Sequence, residues 1–166
     1  MDYVFQFGSV VPEFPLLLRG AWLTIELSAG AMFFGLIVGV ACAQAKQSRW
    51  AAVRRIVQLY VEAIRNTPFL VQLLLFYLGL PSIGIRLLPV QAALLAMVVN
   101  VGAYATEIVR AGIEAVPRQH LEAGQALGLN RWQIFRFIVL KPALRAVFPA
   151  LGSQFILMML ASSVAS

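Results

Sequence analysis

Residues 87–106 contain no charged side chain. A helix of about 20 mostly apolar residues matches the roughly 30 Å hydrocarbon core of a bilayer, so this run reads as a membrane span. Three more apolar runs accompany it. Residues 20–45 carry only Glu26 as a charge, and residues 146–166 carry none. Residues 69–80 are shorter and reach span length only with part of the more polar stretch before Pro68. Composition agrees: 61% of the chain is hydrophobic and 12% charged, against about 45–50% and about 25% in soluble domains. Intrinsic disorder, which needs few apolar residues and many charges, is excluded. Cys42 is the single cysteine, so no disulfide forms within the chain. The expected fold is an all-α integral membrane protein with four transmembrane helices, in one domain of 166 residues.

The net charge of +6 would suggest nucleic acid in a soluble protein. Here the lipid bilayer is the partner, no nucleic acid is expected, and the cations mark loops. Lys46, Arg49, Arg54 and Arg55 lie in the first connection, Arg86 alone in the second, and Arg118, Arg131, Arg136, Lys141 and Arg145 in the third. Basic loops stay in the cytoplasm, which puts the first and third connections inside and the amino terminus outside. Residues 1–19, with Asp2 and Glu13 ahead of Arg19, lack the basic start and cleavage site of a signal peptide. They read as an extracytoplasmic tail along the membrane surface through Val4, Phe5, Phe7 and Phe14, and residues 20–166 as the transmembrane domain.

Several local patterns have more than one reading. Ala31, Gly35, Gly39 and Ala43 recur every four residues, a smooth stripe that lets helices approach closely; it serves packing within the chain or a face between two copies. Glu26 is a hydrated headgroup-level charge or a functional group within a span. Thr67 can cap a helix restarting at Pro68, after a bent segment in which Glu62 and Arg65 can pair. Asn100 either lines a polar path or makes an interhelical hydrogen bond. In the third connection, Val116-Pro117 opens a short helix, Gly128 can end it in the left-handed conformation, and Asn130 with Gln133 resembles a capping box. Trp132, Phe135, Ile138 and Val139 beside Arg131, Arg136 and Lys141 then read as an amphipathic surface helix. This loop is a membrane-surface hairpin or a docking site for a soluble partner.

The chain lacks a phosphate-cradling Gly-x-x-x-x-Gly-Lys-Ser/Thr run, a His-Glu-x-x-His pair and a Gly-x-Ser-x-Gly elbow. Its one histidine, His120, has no cysteine or carboxylate cluster to form a metal site. No catalytic, cofactor-binding or metal-binding residue is expected, and the chain is not expected to be an enzyme.

The run Glu122-Ala123-Gly124-Gln125-Ala126-Leu127-Gly128, followed by Ile138-Val139-Leu140, resembles the "EAA" loop of ABC importer permeases. Tyr60 to Gln72, with Arg65, Thr67, Pro68 and Gln72, and Ala103 to Ile113, with Tyr104, Glu107 and Arg110, resemble the polar amino acid subgroup. Two departures stand out. Gly124 occupies the motif's second alanine, and the proline expected after Leu140 comes one place later, at Pro142.

The resemblance implies a permease subunit of the bacterial inner membrane that forms the path for polar amino acids. Its implied partners are a second permease subunit, a cytoplasmic ATPase dimer that binds ATP, and a periplasmic or lipid-anchored binding protein. It makes the third connection a coupling helix between spans three and four, seated on the ATPase through Pro117, Glu122, Ala123, Gly124, Leu127 and Gly128. Asn100 becomes a candidate for the substrate path. A non-transporting scaffold subunit and a small channel are the alternatives. The family is expected to have five spans; four are visible here, and a carboxy-terminally truncated chain is the expectation.

Overall fold

The computed structural model describes residues 11–163. A 3-10 turn at Val11–Glu13 leads into α1, Phe14–Ala45. Helix α2 is Ala51–Arg65, and α3 is Phe69–Ser82, with a π-helical turn at Leu75–Gly79. Helix α4 is Pro89–Glu114, α5 is Arg118–Ala126, and α6 is Arg131–Ser162 with a π-helical turn at Ile134–Val139. Helices α1, α4 and α6 are each long and apolar enough to cross a bilayer. Helices α2 and α3 meet that test only together, across a bend of 109°. Among the described residues the all-helical membrane fold thus has three candidate spans, or four if the bent pair is one.

Helix α4 is the centre, touching α1, α2, α3 and α6. Small side chains make this possible: Ala92, Ala93, Ala96, Ala103 and Ala105 are all buried on it. The glycine and alanine stripe of α1 lies against α4, with Ala31, Gly35, Gly39 and Ala43 buried. A Cβ on Gly35 would sit 2.6 Å from Val101 Cβ, and one on Gly39 would sit 3.0 Å from both the Ala105 carbonyl carbon and the Thr106 nitrogen. Of the two readings of the stripe, packing within the chain is the one realised. Leu27, Ala31, Met97, Val101 and Met158 form the main apolar cluster where α1, α4 and α6 converge.

Helix α1 begins at Phe14, with Pro15 in its first turn, where a missing N–H costs nothing. Residues 14–19 therefore belong to the helix rather than to the expected tail. Arg19 interrupts the apolar run but not the backbone hydrogen bonds. Val4, Phe5 and Phe7 lie outside the described residues. Glu26 is exposed and accepts a hydrogen bond from Trp22 Nε1 at 2.8 Å.

The largest correction concerns the end of the chain. The amphipathic segment and the last apolar run, expected as two elements, form the single helix α6 of 32 residues. Charges at Arg136, Lys141 and Arg145 hide this from hydropathy, yet a helix keeps its backbone bonds as it leaves lipid. Its π-helical turn ends shortly before Pro142, whose ring in a regular helix would press on the carbonyl of Ile138.

Candidate functional site

The bend between α2 and α3 builds the site. Proline disfavours helical geometry in the residue before it, so α2 stops at Arg65 and α3 begins at Phe69. Pro68 takes the capping position, with φ −56° and ψ 140°. Thr67 does not cap α3 as expected; its hydroxyl donates backward to the Ala63 carbonyl at 2.7 Å.

The end of α2 leaves carbonyls without helical partners, a serious cost near lipid. Gln72 supplies the missing donor. Its Nε2 donates to the Ile64 and Thr67 carbonyls at 2.7 and 2.8 Å. Its Oε1 accepts from Asn100 Nδ2 of α4 at 3.0 Å. Both side chains are buried, and Tyr60 adds a bond from its hydroxyl to the Val99 carbonyl at 2.7 Å. Asn100 therefore makes the interhelical hydrogen bond that was one of its two readings, and it also borders a cavity.

Two adjoining clefts flank the bend. The central cleft, about 410 Å³, is bordered by Thr67, Pro68, Asn100, Gln154 and Met158 among others. The end cleft, about 400 Å³, is bordered by Lys46, Val61, Glu62 and Glu107. Arg65, Asn66 and Tyr104 border both. The guanidinium of Arg65 lies over the Tyr104 ring, 5.3 Å from its centre, a cation–π arrangement. Arg65 and Glu62 do not form the expected pair: Glu62 accepts instead from Gln58 Nε2 at 2.8 Å.

Beyond Tyr104, α4 carries a chain of charges. Glu107 pairs through Oε1 with Lys46, which follows α1, and through Oε2 with Arg110 Nε and Nη2 at 3.0 and 2.8 Å. Arg110 Nη1 reaches Glu114 at 2.6 Å. Only the Lys46–Glu107 pair ties the end of α1 to α4, the two Arg110 pairs lying within α4, and such partly exposed pairs contribute about 0–1 kcal/mol each.

The third connection follows directly from α4. Pro117 takes the capping position of α5, with ψ 136°. Leu121 joins Ile113, Ile134 and Ile138 around buried Val116, Val139 and Ala143. Gly124 is buried against the π-helical turn of α6: a Cβ there would strike Ile138 and lie 3.3 Å from Ile134 Cγ1. The contact with Ile138 is at its Cδ1, the tip of a side chain that can turn, so the site favours a small residue and admits the motif's alanine once Ile138 shifts. Glu122 and Ala123 are exposed, and Leu127 is 79% exposed. Gly128 has φ +75°, the left-handed conformation expected of it. The capping box is formed: Asn130 Oδ1 accepts from the Gln133 N–H, and Gln133 Oε1 from the Asn130 N–H, both at 2.9 Å. His120 is exposed, and no metal-binding group of His, Cys, Asp or Glu occurs among the described residues.

The structure thus gathers Arg65, Thr67, Pro68, Gln72, Asn100 and Tyr104 at the bend. It places Glu107 and Arg110 along α4 toward the loop, and the Pro117–Gly128 group apart from the clefts. Sequence reasoning missed the Gln72 staple, the Arg65–Tyr104 stack and the Lys46–Glu107 pair. For the last there was a signal: opposite charges at the ends of otherwise apolar helices.

Known proteins resemble this chain in sequence and in fold. The glutamine transport system permease protein of Escherichia coli (strain K12) is 34% identical over 155 residues, covering 92% of this chain and 71% of its own. The L-cystine transport system permease protein of Bacillus subtilis (strain 168) is 37% identical over 152 residues, 92% of this chain and 65% of its own. The crystal structure of an amino acid ABC transporter with histidines has a chain that superimposes with a TM-score of 0.91 at 35% identity, covering 98% of this chain and 76% of that one. Residues 32–166 match the family described as binding-protein-dependent transport system inner membrane component. A bent span stapled to a central helix, with a short exposed helix hung from that helix's end, is therefore here the work of a chain that belongs to the inner membrane components of binding-protein-dependent transport systems.

Proposed function

We propose that this chain is a permease subunit of an ABC importer, carrying a polar amino acid along a path beside α4 and driven through α5 by a separate ATPase. The observation that carries the reading is the presentation of α5. One side is locked to α6 by Leu121 and Gly124, while Glu122, Ala123 and Leu127 face outward. A rigid helix with a free face suits insertion into a groove of a partner. The names of the relatives, for glutamine and for L-cystine, support an amino acid as cargo. The bend, with Asn100, Thr67 and Gln154 beside the central cleft, supplies polar lining for it.

In this reading α5 is cytoplasmic, the amino terminus is outside, and the membrane is the bacterial inner membrane. A second permease subunit completes the path. The ATPase dimer binds ATP, and a periplasmic or lipid-anchored binding protein delivers the cargo; this chain itself holds no cofactor.

Reconstitution of the subunit with its ATPase and binding protein in liposomes tests the proposal. Loaded binding protein is expected to stimulate ATP hydrolysis and amino acid accumulation together; a scaffold subunit gives neither. The loop has its own test. Gly128→Asp puts a side chain on a left-handed residue, at a cost of about 1–2 kcal/mol, and adds a negative charge beside Leu127. The expected result is loss of co-purification with the ATPase while membrane insertion is unchanged. Normal co-purification would sink the docking assignment.

A further inference from the structure

The clefts on either side of the bend meet at one cation. Arg65, Asn66 and Tyr104 border both the central and the end cleft, and among the described residues the Arg65 guanidinium has no hydrogen bond or ion pair, only the Tyr104 ring beneath it. The other cations nearby are committed: Lys46 to Glu107, and Arg110 to Glu107 and Glu114. A guanidinium lying over an aromatic ring keeps its planar fork of donors available at the edge. That fork matches a carboxylate bidentately.

Resting on the transport reading above, we propose that Arg65 is a specificity-determining residue that binds the α-carboxylate of the amino acid as it crosses from the central to the end cleft. The carboxylate is the group all amino acids share, so Arg65 reads the class and leaves the side chain to be chosen elsewhere. Tyr104 holds the guanidinium at the boundary. The stack is weak enough, about 0.5–2 kcal/mol for such contacts, for the fork to swing with its cargo. The bend places the residue: Arg65 ends α2, and Gln72 fixes that end against α4.

The test uses the complete importer in proteoliposomes, with amino acid accumulated per ATP hydrolysed as the readout. Arg65→Gln is expected to lower that ratio at least about tenfold, the scale of one lost charge-assisted bond, while loaded binding protein still stimulates hydrolysis. Arg65→Lys, which keeps the charge without the fork, falls between. A wild-type ratio in Arg65→Gln overturns the proposal, as does an equal fall in uptake and hydrolysis. Should Arg65→Gln fail to assemble, Arg65→Lys decides, and a wild-type ratio there overturns it. A structure of the cargo-loaded complex is the second measurement: the cargo carboxylate is expected at hydrogen-bond distance, about 2.7–2.9 Å, from the guanidinium, and a carboxylate held elsewhere overturns the assignment. A wild-type complex without any uptake would instead defeat the transport reading itself.

Discussion

Gly39→Val is expected to melt far below the wild type. The first atom of any side chain at position 39 would sit 2.5 Å from Ala105 Cβ and 3.0 Å from two backbone atoms of α4. A side chain can turn aside, but a helix backbone cannot, so α1 and α4 must part along the most extensive contact in the fold. The cost is about 3 kcal/mol, the upper range for overpacking, or roughly a hundredfold in the folded-to-unfolded ratio. Thermal denaturation in detergent measures it. Gly35→Ala should cost less, because it adds one carbon where valine at position 39 adds three; its Cβ would still sit 2.6 Å from Val101 Cβ and 3.2 Å from the Gly102 nitrogen. Gly152, with no atom within 4 Å of a Cβ, is the internal control: alanine there should be neutral or slightly stabilising, as elsewhere in helices. Equal melting of all three variants would show that α1 and α4 do not meet along this stripe.

Gln72→Leu is the second large effect. The substitution leaves the Thr67 carbonyl without its donor and Asn100 without its acceptor, and the Ile64 carbonyl keeps only the longer bond from the Thr67 N–H, at 3.3 Å. Interhelical hydrogen bonds in membranes contribute about 0.6 kcal/mol on average and about 1.7 at most, but buried polar groups left unmade cost about 1–3 kcal/mol. The second consideration dominates here, since two groups lose their partner and a third is left with one long bond, and a loss of about 2 kcal/mol is expected. Adding Asn100→Leu should recover part of it, because the orphaned amide is then gone, and the double-mutant cycle should report about 1 kcal/mol of coupling. Strict additivity would mean that the two residues do not touch. Transport should fall further than stability, because the bend that Gln72 holds carries Arg65, Thr67 and Pro68.

Much of this architecture is legible in the residues. Uncharged runs locate α4 and most of α1, the stripe spaced by four marks a close helix contact without naming its partner, and the turn chemistry of Gly128, Asn130 and Gln133 appears as read. These signals are local, or repeat along one helix. What escapes depends on partners distant in the chain. Nothing near Gln72 indicates that its amide will complete α2, and nothing near Arg65 indicates an aromatic ring 39 positions away in α4. Helix α6 escapes for another reason: hydropathy reports where lipid ends, not where a helix ends, and Arg131–Ser162 crosses that boundary unbroken. The expected Glu62–Arg65 pair follows from helical spacing alone and loses to Gln58 and Tyr104.

Helix α4 has 26 residues, about 39 Å at 1.5 Å per residue, and runs without a break almost to the first residue of α5. Its alanine-rich flanks leave little soft side-chain material to absorb displacement. Such a rod behaves as a lever. A tilt of about 5° about one end moves the other by roughly 3 Å over that length, more than the radius of a water molecule. On the proposed transport reading, such a stroke at α5 moves Asn100, near the middle of the rod, by roughly half as much, and the gearing is set by helix length rather than by any flexible joint.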